Sequence, residues 1–366
     1  RDVAPSRGLG DVYKRQAYSL SSGGGERFVV DLCNRLAENT KNKVTLLITN
    51  DERIPKNAHY LGELSTNVRF ISLRCHSGLC FQAFRKVYKT IKEEKPDIVH
   101  ANCNLLLLCL PSLFLRKAKY FQTLHNVAQA CVQKQWLKGI YHWFYNHRIQ
   151  PVTISKTCQQ SYIDFYGDNQ AICITNGRES LVPSGNIPKD VIFLKEEHDP
   201  IFIHIARCAA QKNQNRLFKA FERLQEEGIK YHLIVLGSGY ENKWIPYFKN
   251  NPQIHVLGEK KNIADYMALA DFFVLSSDYE GLPLTLLEAM SLGVAPVCTP
   301  AGGIVDVIEE GKNGYLVSSF NDEDFYQKIK YALNDKGKLT KDSIRRAYEA
   351  NYSMKVCTQK YYEAYQ

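Results

Sequence analysis

The chain has 366 residues, 45% of them hydrophobic and 23% charged, and a formal net charge of +9. This composition excludes a disordered, collagen-like or coiled-coil chain, and at roughly 100–200 residues per domain the length predicts two domains, each with its own core. The charge is uneven: residues 17–187 hold 21 Lys+Arg against 12 Asp+Glu, whereas 188–366 hold 22 against 24.

Residues 1–16, RDVAPSRGLGDVYKRQ, contain no Met and no strand pattern. The stretch DVYKRQ resembles the translation of a transposon-end sequencing adapter. Residues 1–16 are therefore expected to be a non-native leader, with the first strand truncated to 17–20. A Ser/Gly loop, 21–25, follows. Phe28, Val29, Leu32, Cys33 and Leu36 then recur at helical spacing. Strands are expected at 43–49, 68–73, 97–101, 119–123, 151–154 and 171–174, with helices at 80–95, 127–145 and 156–166. Two Pro, a Gly and a charged run at 178–199 mark a linker. A second series follows, with strands at 201–206, 231–236, 254–257, 272–275, 295–298 and 315–317. Its helices are expected at 213–226, 240–249, 263–269, 283–291 and 303–309, closing with 325–334 and 341–366. Strands alternating with helices predict two doubly wound α/β domains, with ligands at the carboxyl ends of the strands.

The eleven Cys form no CxxC pair and no zinc spacing, and most stand in apolar stretches. They read as reduced, buried thiols of a cytoplasmic protein. The N-terminus lacks a signal-peptide core, and the longest apolar run, 105–110, ends at Pro111, too short to span a bilayer. The basic first half suits an anionic partner such as a phosphate-bearing substrate or a membrane surface, although a solvated basic face gives the same count. No basic stretch interleaves with stacking aromatics, so a nucleic-acid partner is not expected.

Five stretches carry chemistry. In SSDYEGLPLTLLEAMSL (276–292) a strand leads through a loop into a helix near Pro283. The N–H groups of Gly281 and Leu282 there suit an anion, and Glu280 and Glu288 suit sugar or ribose hydroxyls. A helix cap and a solvated acid would give the same spacing. ARCAAQKN (206–213) puts Arg207 and Lys212 at a strand end, where a planar fork and a mobile point charge suit a diphosphate. Gly23, Gly24 and Gly25 let backbone approach a ligand before a helix. TLHN (123–126) places His125 at another strand end, and Gly302-Gly303 opens a further helix.

Taken in order, GGGE, TLHN, ISKT, ITNG, ARCAAQKN, EGLPLTLLE and AGGIVDVIEEGKNGYLV resemble the retaining, nucleotide-sugar-dependent glycosyltransferases of family 4 (GT4), group 1 type, over nearly the whole chain from Ser21 to about Ser318. The resemblance implies a GT-B fold, two Rossmann-like domains facing across a cleft: an acceptor-side domain at 17–187, a donor domain at 188–345, and a C-terminal helix at 346–366 returning to the first. It implies that Glu288 binds ribose and Glu280 the donor sugar. Arg207 and Lys212 would hold the diphosphate without metal. Leu257 and Gly258 would line the base, His125 would lie near the donor sugar, and Gly23–Gly25 near phosphate and acceptor. The donor would be a nucleotide sugar, UDP- or GDP-linked, with no further cofactor. The acceptor would be a glycan or lipid-linked hydroxyl at the inner face of the cell membrane, in cell-surface polysaccharide assembly. One departure stands out: Asn176-Gly177 continues as Arg178-Glu179, where the family usually has an apolar residue and then Asp. Rival readings are an epimerase or phosphorylase on the same fold, or a non-catalytic sugar-nucleotide or glycan binder.

Overall fold

The computed structural model describes residues 12–17, 19–75, 81–102, 106–115, 118–132, 136–195, 198–240, 250–335 and 339–366. The chain divides into two compact units, residues 1–177 with 354–366 and residues 178–353. The first unit runs β1 (Val12–Ala17), α1 (Gly24–Ala37), β2 (Lys43–Asn50), β3 (Val68–Cys75), α2 (Phe81–Glu94), β4 (Ile98–Asn102), α3 (Leu106–Cys109), β5 (Lys119–Leu124), α4 (Ala128–Cys131), α5 (Leu137–His147), β6 (Ile149–Thr153), α6 (Lys156–Tyr166) and β7 (Ile172–Cys173). Its strands form one parallel sheet in the order β3-β2-β1-β4-β5-β6-β7. Val87, Leu108, Tyr141 and Tyr162, from α2, α3, α5 and α6, share one core cluster. The helix ends follow local chemistry. Ser155 caps α6 by accepting the Cys158 N–H at 3.1 Å, and Gly167, at φ +84°, ends it.

Where the sequence leads one to expect a first strand cut down to 17–20, the structure has a strand at Val12–Ala17. Residues 12–17 form an interior strand, third of the seven, pairing with β2 from Val12↔Lys43 to Ala17↔Ile48 and with β4 from Tyr13↔Ile98 to Gln16↔Ala101. The strand therefore ends at Ala17 rather than surviving as 17–20. The physical reason lies in the backbone. β2 and β4 both present ladders of N–H and C=O groups to the slot between them, and such groups are almost never left unpaired in a sheet interior. VYKRQA fills that slot without the apolar run that usually marks an interior parallel strand.

The second unit runs β8 (Ile201–Ile205), α7 (Gln214–Glu226), β9 (His232–Leu236), β10 (Ile254–Gly258), α8 (Ile263–Leu269), β11 (Phe272–Leu275), α9 (Leu284–Ser291), β12 (Ala295–Cys298), β13 (Tyr315–Leu316), α10 (Asp322–Asn334) and α11 (Lys341–Asn351). Its parallel sheet has the order β10-β9-β8-β11-β12-β13, so the winding reverses between β8 and β11. Helix α12 (Met354–Tyr365) belongs to the first unit, where the Tyr361 and Tyr365 hydroxyls meet Thr123 and His100 at 3.1 and 2.6 Å. The expected helix at 240–249 falls on residues outside those described, apart from Tyr240.

Two boundaries differ from expectation. The division falls at 177/178, because the supposed linker is laid along the second unit. Arg178 N–H donates to the Tyr352 carbonyl at 3.0 Å, Ser184 N–H donates to Asp265 at 2.6 Å, and Lys260 pairs with Asp190 at 2.7 Å. The closing helix is two helices, so the returning segment starts at Met354 rather than 346. The nine described cysteines form no disulfide with one another, and six of them are buried. Among the described residues, no helix is long and apolar enough to cross a membrane.

The core of β8 carries a pH liability. His204 is fully buried and donates from Nδ1 to the Val274 carbonyl at 2.9 Å, while its Nε2 meets no hydrogen-bond partner among the described residues. Burial holds the imidazole down to about 4, from an ordinary 6.5. The unfolded chain thus takes up this proton first as pH falls. Stability is full above the unfolded value, declines as pH drops below it, and has lost about 3 kcal/mol from this group once the folded value is passed. Urea denaturation at pH 7 and pH 4.5 is expected to show His204→Asn losing markedly less stability on acidification than the unaltered protein. Equal losses would contradict this origin.

Candidate active site

The carboxyl ends of β8 and β11 flank the point where the second sheet reverses direction, the usual ligand position in such sheets. After β8 the chain passes the exposed Arg207, a single turn at Ala210–Lys212, and Asn213 in the left-handed region at φ +44°. After β11 it passes Ser276, Ser277 and Asp278 to Glu280. The two loops are stitched together. The Asp278 N–H donates to the Gln211 carbonyl at 2.9 Å, the Ser276 hydroxyl donates to the Lys212 carbonyl at 2.9 Å, and the Asn213 amide donates to Asp278 at 3.1 Å.

This stitching brings Lys212 and Glu280 together. Lys212 Nζ donates to Glu280 Oε1 at 2.5 Å, and the buried Ser277 hydroxyl donates to the same oxygen at 2.6 Å. The Glu280 side chain is 7% exposed and that of Lys212 16%, so a low-dielectric wall backs the pair while the ammonium keeps some access to solvent. Cys298, on the neighbouring strand, is pushed upward by burial first and by the Glu280 charge second. Backbone geometry supports the position of Glu280. Gly302 has φ +55° and lies so close that a Cβ there would stand 1.8 Å from the Glu280 carbonyl oxygen, and the Gly303 N–H donates to the Gly281 carbonyl at 2.7 Å.

Helix α9 begins at Leu284, with Pro283 as its N-cap (φ −70°, ψ 122°) rather than in its first turn as expected. Pro has no N–H to donate, so the cap position costs it nothing. Gly281 and Leu282 lie just before it, with Leu282 buried. Glu288 points inward from α9. It does not stand alone, because Arg178 Nε donates to its Oε1 at 2.6 Å. Leu257 and Gly258 close β10, and the Gly258 carbonyl accepts the Gly237 N–H at 2.9 Å, beside the end of β9.

The first unit holds the other predicted residues. Gly23 is the N-cap of α1, and Gly24 and Gly25 open that helix. His125 follows β5, with Nε2 3.1 Å from Asn102 Oδ1 at the end of β4 and its ring 5.7 Å edge-on from Phe28 of α1. The α1 glycines and His125 thus occupy the carboxyl side of the first sheet.

Sequence reasoning missed Arg216. This buried residue of α7 donates to the Ser276 carbonyl at 2.8 Å and the Phe320 carbonyl at 2.6 Å, and pairs with Asp278 at 2.8 Å and Asp322 at 3.2 Å. It holds the loop that carries Glu280. Four residues after Lys212, it looked like part of a charged helical face, and nothing local announced partners some sixty and a hundred residues away.

A family profile described as Glycosyltransferase Family 4 matches residues 22–179, and one described as Glycosyl transferases group 1 matches residues 188–350. The chain belongs to the family 4 glycosyltransferases. An N-acetylgalactosamine-N,N'-diacetylbacillosaminyl-diphospho-undecaprenol 4-alpha-N-acetylgalactosaminyltransferase of Campylobacter jejuni subsp. jejuni serotype O:2 is 28% identical over 91% of this chain and 91% of its own length. An N-acetyl-alpha-D-glucosaminyl L-malate synthase of Bacillus anthracis is 34% identical, but over 35% of this chain and only 36% of the synthase. Anabaena Alr3699/HepE, solved in complex with UDP-glucose, superposes with a TM-score of 0.77 at 17% identity, covering 97% of this chain and 99% of that one. At that identity the likeness shows the fold, which is GT-B. In this family 4 transferase, then, the structure brings Lys212, Glu280, Gly281 and Leu282 together at the β8/β11 switch, with Arg207 on the loop that carries Lys212.

Proposed function

We propose that this protein transfers a sugar from a nucleoside diphosphate sugar to a hydroxyl of a glycan or lipid-linked acceptor, retaining the anomeric configuration, in cell-surface polysaccharide assembly. The observation that carries the reading is the Lys212–Glu280 pair at the sheet's reversal point, beside the start of α9. In this reading Lys212 and Arg207 offset the charge developing on the departing diphosphate, a fixed electrostatic stabilisation of the leaving group supplied by the protein rather than a metal. Glu280 accepts hydrogen bonds from the donor sugar, Glu288 from the ribose, and Leu257 and Gly258 line the base. His125 serves the sugar, and Gly23–Gly25 serve phosphate and acceptor. The bond from the anomeric carbon to the diphosphate oxygen breaks as the acceptor oxygen bonds on the same face, and the leaving phosphate takes the acceptor's proton. The UDP-glucose bound by the Anabaena neighbour supports a UDP-linked donor, with GDP-linked sugars the other candidates. The diphospho-undecaprenol in the Campylobacter relative's name supports a lipid-linked acceptor. Incubation with a panel of UDP- and GDP-sugars tests the reading. One donor should be hydrolysed slowly, water taking the acceptor's place, to free sugar and its nucleoside diphosphate, and a panel that is neither hydrolysed nor bound would sink the proposal.

We place the protein at the inner face of the cell membrane, docked through its first unit. Trp136, Ile140 and Trp143 form a stripe along the outer side of α5, with Trp136 67% and Trp143 54% exposed. Trp at such a position suits the headgroup region, and the exposed Arg85, Lys89 and Lys92 of α2 suit anionic lipid. Co-sedimentation with phosphatidylglycerol vesicles at low salt is expected, weakened severalfold by Trp136→Ser/Trp143→Ser. Unchanged sedimentation of the double variant would remove this face from the proposal.

A further inference from the structure

The Arg178-Glu179 departure from the family pattern has a structural counterpart. The main chain of Arg178 is pinned to the end of α11: its N–H donates to the Tyr352 carbonyl at 3.0 Å, its carbonyl accepts the Tyr348 hydroxyl at 2.6 Å, and it forms a parallel bridge with Ser353. Its side chain then reaches inward, and Nε donates to Glu288 Oε1 at 2.6 Å, both side chains being 6% exposed. The same segment touches α9 again, where the Leu181 N–H donates to the Ser291 hydroxyl at 3.2 Å, and that hydroxyl donates to the Glu288 carbonyl at 2.7 Å. Glu288 is therefore held twice from one strap, once by its carboxylate and once through its backbone.

We infer that Arg178 is a positioning residue for the nucleotide's ribose, acting through Glu288. A glutamate on a helix has three rotatable bonds, and fixing them at the moment of binding costs entropy. Anchoring Oε1 by a charge-assisted bond fixes the carboxylate plane beforehand. A carboxylate has about four lone-pair sites, and the arginine Nε takes one, leaving acceptor capacity for a vicinal diol. Arg178 itself need not touch the nucleotide. Its effect falls on donor binding, which both ground and transition states share, and so on KM rather than kcat. This inference rests on the proposed role of Glu288.

The test is calorimetric titration of the full chain with UDP, GDP and their 2′-deoxy counterparts. The protein is expected to prefer the ribonucleotide of one base. Arg178→Met should raise the Kd of that ribonucleotide about tenfold and leave that of the deoxynucleotide nearly unchanged, so that discrimination collapses. Arg178→Lys should restore part of it. In a Glu288→Gln background Arg178→Met should add nothing further, because both act on the same contact. A purely structural role would instead lower the melting temperature and weaken both nucleotides alike. If Arg178→Met does not fold, the discrimination ratio of Arg178→Lys decides. Full discrimination in a folded Arg178 variant, with discrimination lost in Glu288→Gln, would overturn the inference alone. Failure of the unaltered protein to bind UDP or GDP would overturn the role of Glu288 together with it.

Discussion

Lys212→Ala is expected to lower kcat about a hundredfold, ~2.7 kcal/mol of transition-state stabilisation, in a protein that still folds. The ammonium stands on a short turn that the Ser276 hydroxyl fixes through the Lys212 carbonyl, so it is aimed before substrate arrives. A charge held in place and partly shielded from water acts on the leaving diphosphate without the reorganisation that solvent would need. The substitution also strips Glu280 of its cation, leaving the Ser277 hydroxyl as its described partner. Glu280→Gln, which preserves shape, is expected to show a similar loss. Because the two side chains touch, the double variant should fall well short of the product of the two single losses. Initial rates with saturating donor check this. Turnover within about threefold of the unaltered protein in both single variants would contradict the assignment.

Gly302→Ala is expected to do comparable damage without removing any charged group. The new Cβ would meet the Glu280 carbonyl oxygen at 1.8 Å and its carbon at 2.7 Å, and at φ +55° an L side chain carries its own strain of about 1–2 kcal/mol. The neighbour is main chain, so it can yield only by moving the loop that carries Glu280. A displacement near 1 Å at a reacting group costs about a hundredfold in rate. Gly167→Ala is the control, with φ +84° but nothing within 4 Å of its Cβ position. It should share the strain, lowering the melting temperature by a few degrees, and leave kcat unchanged. Equal kcat values for the two variants would show that the close approach to Glu280 is unimportant.

Much of this arrangement was legible in the sequence. β11 and β12 were read to the residue because each is a short, fully buried apolar run between loop signals. Glu280, Lys212 and Arg207 were legible as chemistry at strand ends, since a parallel sheet delivers its carboxyl-end loops to one side. β1 was not legible. Its place follows from what β2 and β4 leave unpaired, which no window of twelve residues contains. The pairing of Arg178 with Glu288 spans 110 positions, and that of Arg216 with Asp322 spans 106. Spacing arguments reach along one helix or one loop, so such partners emerge only when the chain is folded. The expected boundary at 187/188 lies ten residues past the observed one at 177/178 for the same reason: a Pro- and Gly-containing stretch reads as a linker until Asp265 and Tyr352 are seen to hold it.

The central claim is sugar transfer from a nucleoside diphosphate donor with retention. Time-resolved proton NMR on the reaction mixture, following the anomeric proton of the donor sugar into the first-formed product, tests it most directly. The expected result is release of nucleoside diphosphate in step with a product whose anomeric coupling matches the donor's configuration. An inverted first product would contradict it.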